Sequence, residues 1–95
     1  MSNIATDKQL LIARLDVLAG LLKDEPATPL VTQAVHQCER LHQAILQYHA
    51  EGLRFAAFTL HRLMQHADAN LRESTLEAAR KLKEALDAAG FGTQH

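Results

Sequence analysis

Six histidines stand in this chain of 95 residues: His36, His42, His49, His61, His66 and His95. An imidazole can ligate a metal, act as a nucleophile or change charge near pH 6. On a helix, Glu39 and His42 are three apart and His42 and His49 seven apart, so each pair shares a face. Glu39, His42 and His49 are therefore the candidate metal or phosphoryl-carrying groups. His61 and His66 are five apart, a poor spacing for two ligands on one helix. Most of the six flank the apolar seam of their helix instead of lying on it, which is the usual place of polar shoulder residues. Protonation of up to six imidazoles per chain would then make the assembly acid-sensitive.

Two motifs carry a resemblance. Glu39-Arg40-Leu41-His42 reads E-x-x-H and resembles one element of the di-iron carboxylate bundles, which implies an inward-facing metal site. That pattern uses two such motifs and two further glutamates. Glu51, the nearest other glutamate, falls on an outward face, so the set is incomplete. His49-Ala50-Glu51-Gly52 resembles the H-x-x-K-G arrangement of histidine phosphotransfer domains, which implies an exposed phosphorylatable imidazole. Here the glycine comes one residue early, and Glu51 sits near the lysine's place, where it would repel phosphate. No cofactor is expected from either match.

Other chemistries have little to draw on. Serine occurs at Ser2 and Ser74 alone, and Ser74 reads as a helix cap. Gly90 and Gly92 lie near the end and form no phosphate loop. Cys38, the single cysteine, falls on the apolar side of its helix and reads as a buried, inert thiol. Lys+Arg is 10 against 11 for Asp+Glu, so the basic excess of a nucleic-acid binder is missing. In Arg80-Lys81-Leu82-Lys83 the charges read as a solvated face, with Glu77 to Lys81 and Lys83 to Asp87 as i,i+4 pairs. No apolar run is long enough to span a membrane. The opening residues lack the basic-then-apolar pattern of a secretory signal, and a cytoplasmic location is the default expectation.

The elements that must position these groups are helices. Apolar residues make up 47% of the chain and aromatics 4%, so the core is aliphatic. A single domain over residues 1–95 is expected, with helices at about 6–23, 29–67 and 71–89 and a frayed tail at 92–95. Thr6 or Asp7 can cap the first helix. There, Leu11, Leu15, Leu18 and Leu22 form one stripe, and Leu10, Val17 and Leu21 form another beside it, enough for two neighbours. Pro26 and Pro29 mark the one confident loop, with Thr28 capping and Pro29 opening the second helix. Val31, Cys38 and Ile45, with Ala34, Leu41 and Tyr48, repeat at seven as a coiled-coil-like seam. Asn70 with Glu73, and Ser74 with Glu77, resemble capping boxes for the last helix. Gly90 can take the left-handed conformation there, letting Phe91 fold back on Leu86.

Gly52 decides the topology. A helical glycine costs about 1 kcal/mol relative to alanine, tolerable where packing holds the helix. No Ser, Thr, Asp, Asn or Pro in His49–Arg54 starts a new helix, so the sequence favours continuity, with a kink, over a full turn. The long helix would then measure roughly 58 Å, with two short helices laid along it. Such a strip leaves Leu53, Phe55, Ala56, Phe58, Leu60 and Leu63 bare on one side. The expectation is an all-α protein with a long central helix, pairing through those residues as a homodimer. The alternative is a reversal near Gly52, giving a compact bundle of four antiparallel helices. The function expected is non-enzymatic, through self-association or an apolar helical face offered to another protein. In outline the chain resembles small export chaperones and regulatory adaptors.

Overall fold

Leu11, Leu15, Leu18 and Leu22 stack along one side of α1 (Ile4–Lys23), and all four are buried. The second stripe is only partly used: Leu21 is half-buried while Leu10 and Val17 stay exposed. The helix includes Thr6 and Asp7, the expected caps. The computed structural model describes residues 4–66 and 70–91. The helix end expected at Ala67 and the tail from Gly92, with His95, fall outside them.

After α1 the chain turns through Asp24–Ala27. Thr28 then accepts a hydrogen bond from the Val31 amide at 3.2 Å, and Pro29 opens α2 (Pro29–Gln47), as its fixed φ and missing N–H allow. Val31, Ala34, Cys38, Leu41 and Ile45 are buried along the expected seam. Tyr48, its last member, leaves the seam, because the helix has already ended.

The continuous helix over 29–67 is instead two helices, as the alternative of a reversal near Gly52 has it, and the reversal itself falls at Tyr48–His49. Tyr48 takes the left-handed conformation, φ 56° and ψ 37°. The Tyr48 amide donates to the Ile45 carbonyl at 3.2 Å and the His49 amide to that of Ala44 at 3.1 Å. That is a Schellman ending built on a tyrosine, where glycine is usual. His49 then caps α3 (Ala50–Met64): its Nδ1 accepts a hydrogen bond from the Gly52 amide at 2.9 Å. A Cβ on residue 52 would stand 2.7 Å from that nitrogen. Gly52 therefore makes room for the cap instead of making the turn.

The reversal changes what Leu53–Leu63 face. Leu53, Ala56 and Leu60 are buried within the one chain, and Leu63 packs against the same core. The molecule measures 39 × 22 × 21 Å, well short of the roughly 58 Å strip. The bare apolar side from which pairing was expected is largely covered by the chain's own helices.

α4 (Glu73–Ala88) starts without either expected capping box. Its N-cap residue is Arg72, whose side chain makes no capping bond, and Asn70 lies outside the helix at φ 48°. Its end follows the expected pattern. Gly90 adopts φ 90°, and the Phe91 amide donates to the Leu86 carbonyl at 2.8 Å. Phe91 packs on the core.

The helices run alternately up and down. Lys8 of α1 reaches the Leu46 carbonyl and the Tyr48 ring at the far end of α2. Arg54 at the start of α3 lies over the Phe91 ring beyond the end of α4. Among the described residues the protein is an all-helical bundle of four helices with no strand, and no helix is long and apolar enough to cross a membrane. α2 packs closely on α3, α1 on α4, and α1 on α2, whereas α3 and α4 touch sparsely. The fourth side of the bundle is thus its open side.

Candidate functional site

The open side is a cleft. Leu18 of α1 lies at its base, Leu60 and Met64 of α3 form one wall, and Leu82 and Leu86 of α4 form the other. The space between them is about 400 Å³, within the range of pockets that hold ligands or partner side chains. It exists because two helix pairs bury their best faces against each other. α1 takes α4, α2 takes α3, and the two pairs meet along α1 and α2. What remains between α3 and α4 is lined by alanines (Ala57, Ala79), which are too short to close the gap. Leu76 stands at the lip, 43% exposed.

The polar groups lining the cleft are His61 on α3, Gln65 just past its end, and Arg80 and Lys83 on α4. None of the lining groups is a carboxylate. Arg80 is held by Glu77 and Glu84, and Lys83 by Asp87 at 3.1 Å. The Lys83–Asp87 pair is the one expected from spacing, whereas Glu77 bonds Arg80 and not Lys81. Burial pulls the His61 imidazole below its ordinary pKa, Lys83 adds to the effect, and Asp87 opposes it. The neutral imidazole therefore prevails in the cleft at neutral pH. Nothing in this set has the partnered nucleophile or base that a covalent mechanism needs. The cleft can enclose an apolar group and present hydrogen-bonding, cationic shoulders around it.

The residues singled out for metal or phosphoryl chemistry are elsewhere. Glu39 and His49 border a wider and shallower depression of about 540 Å³ between α2 and α3, where Phe55 also lies. His42 does not line that depression. His49 uses its Nδ1 to cap α3. Among the described residues, no three His, Cys, Asp or Glu side chains gather as a metal site. Of the expected interface residues, Leu53, Ala56 and Leu60 are interior, and Phe58 and Leu63 are half-buried. Phe58 lies under the Arg62 guanidinium. Phe55 alone projects, at 64% exposure.

The cleft's polar shoulders were not anticipated from the sequence. Spacing reads Leu76, Ala79, Leu82, Leu86 and Ala89 as the inward stripe of α4; Leu82 and Leu86 are buried, Ala79 and Ala89 half-buried, and Leu76 is exposed, with Thr75, Ala78 and Ala85 buried in the stripe's place. What the spacing lacks is the information that α3 would stand away from that stripe. Comparison with protein-family models, with curated proteins and with solved structures gives no match for this chain.

Proposed function

We propose that this chain acts by binding, without a chemical step, and that the α3–α4 cleft receives the apolar face of a helix from another protein. The supporting observation is the open fourth side of the bundle, with Leu18 at its base and Leu76 at its lip. A helix laid there would complete the packing that α3 and α4 leave undone, as in helix-in-groove recognition. Such a role is that of an adaptor or a small chaperone. The test is titration of the protein with a peptide carrying leucines at i, i+4 and i+7. Binding to the wild type and loss of binding in Leu76→Glu, with the melting temperature of that variant unchanged, is the expected result. Leu76 is exposed enough to accept a charge without unfolding the chain.

A second reading, pairing of two copies, is favoured by Phe55. With 64% of its surface in water, Phe55 is the most exposed large hydrophobic among the described residues. Light scattering of the wild type beside Phe55→Ser distinguishes a dimer held by that ring from a monomer.

A further inference from the structure

We infer that two copies of this chain meet across the α2–α3 face about a two-fold axis, Arg40 of each against Glu39 of the other and each Phe55 ring entering the other's depression; this rests on the pairing reading above. The helices differ in how their charges are satisfied. On α4, Glu77 and Glu84 hold Arg80, and Asp87 holds Lys83, so these charges are spent within the helix. On α2, Glu39 and Arg40 are both exposed, and neither forms an ion pair among the described residues. Sequence neighbours do not face each other on a helix, so the two cannot pair within the chain. Both line the depression of about 540 Å³ between α2 and α3. Ala44 and Ala56 line it too, short side chains that leave room for a ring, and Phe55 stands there with 64% of its surface in water. Opposite charges side by side on one face complement a second copy of that face. A two-fold axis between them turns α2 antiparallel onto its copy and makes both ion pairs at once, because residue i meeting j requires j to meet i. The same register sets His36 against Gln43 of the second copy, and both residues line the depression. The lining stretch of α2, residues 36–47, is roughly 16 Å long, or about three turns. Its face carries an arginine and an aromatic ring and no lysine, the composition that interface centres favour. The α3–α4 cleft shares no lining residue with this face, so pairing and helix binding are compatible in one molecule.

The experiment measures self-association by sedimentation velocity over a dilution series, for the wild type, Glu39→Arg, Arg40→Glu, the double variant with both reversals, and Phe55→Ser. All three positions are exposed, so unchanged melting temperatures separate dissociation from unfolding. The wild type is expected to dimerise, less tightly as salt rises. Each single reversal sets like charges together twice, by symmetry, and should weaken the dimer at least about tenfold. The double variant remakes both pairs in the opposite sense and should recover wild-type affinity. The two single variants, mixed, should form a heterodimer tighter than either homodimer, which only a reciprocal contact allows. A dimer lost in Phe55→Ser but indifferent to the charge reversals overturns this register and leaves pairing through the ring standing. Assemblies larger than two copies overturn the two-fold contact. A chain that stays monomeric up to about 1 mM, or a dimer that none of the substitutions weakens, overturns both readings.

Discussion

The Thr75 hydroxyl donates a 2.6 Å hydrogen bond to Oε2 of Glu25, fifty positions earlier in the chain. The same carboxylate oxygen accepts the Arg72 amide at 3.0 Å and lies 3.3 Å from the Arg72 guanidinium. Thr75 is fully buried and the Glu25 side chain nearly so. A loop residue between α1 and α2 thus satisfies the Arg72 amide at the start of α4, where the Arg72 side chain makes no capping bond of its own. The carboxylate also meets the positive end of the α4 dipole. α4 is moored to α1 at this end, which leaves its other flank free to form the cleft wall.

Glu25 should make the fold acid-labile. The Thr75 hydroxyl is the largest influence holding its carboxyl below the ordinary value of 4.5, and the Arg72 amide and guanidinium add to it against burial. A carboxyl depressed by folding stabilises the native state above its unfolded pKa, and that contribution is lost as pH falls through the folded pKa. Stability should be flat in this respect above pH 4.5 and decline below it. Glu25→Gln should flatten the acid limb and lower the melting temperature at neutral pH by roughly 5–15 °C. Thr75→Val, which keeps the shape and removes the donor, should lose roughly 5–10 °C. An acid limb in Glu25→Gln identical to that of the wild type would show that other groups set it.

Gly52 and His49 should couple with a change of sign. His49→Ala removes the α3 cap and should cost about 1 kcal/mol. Alanine at position 52 gains up to about 1 kcal/mol of helix propensity but pushes the His49 ring off the Gly52 amide. Gly52→Ala should therefore be neutral or destabilising beside His49, yet stabilising by roughly 0.5–1 kcal/mol in the His49→Ala background. Urea unfolding of the four proteins measures this. Equal gains in both backgrounds would separate the glycine from the cap.

The same pair explains what the sequence conceals. Thr28-Pro29 and Gly90-Phe91 announced their helix ends because each uses the residue whose backbone suits the position. The reversal at Tyr48–His49 uses a left-handed tyrosine and a histidine cap, both uncommon for those roles, and the nearby glycine drew attention to the wrong residue. Once continuity is preferred to the reversal, the interior residues Leu53, Ala56 and Leu60 read as an outer surface. Heptad and stripe spacing still identified Leu11–Leu22 and Val31–Ile45 as core, since periodicity depends on the helix alone. The cleft was invisible for the opposite reason. It depends on α3 and α4 failing to close, a relation between two elements that neither one's periodicity contains.

Cys38 should be inert in the native protein. Burial, chiefly, and the neighbouring Glu39 push its thiol up to about 12, while Lys23 opposes them weakly. At neutral pH almost no thiolate exists to react. Labelling with a disulfide reagent should be slow in buffer and fast in concentrated urea, its rate tracking the opening of the bundle. Rapid native labelling would mean that α2 opens locally around Cys38.

His61 should set a second pH dependence, in the neutral range. Folding depresses its pKa, mainly by burial and secondly through Lys83, so the unfolded chain binds this proton more readily. Stability from this group is complete above the unfolded value of 6.5 and is lost as pH falls toward the folded value. The charges of Lys83 and Asp87 on α4 act on it with opposite effects. His61→Gln should therefore lose less stability than the wild type when the pH drops from about 7.5 to about 5.5. Lys83→Gln should raise the His61 pKa and shrink the wild-type loss, and Asp87→Asn should enlarge it. NMR titration of the His61 ring in the three proteins reads those directions one by one. A ring that titrates at its ordinary value in all of them would mean that water reaches the His61 side of the cleft freely.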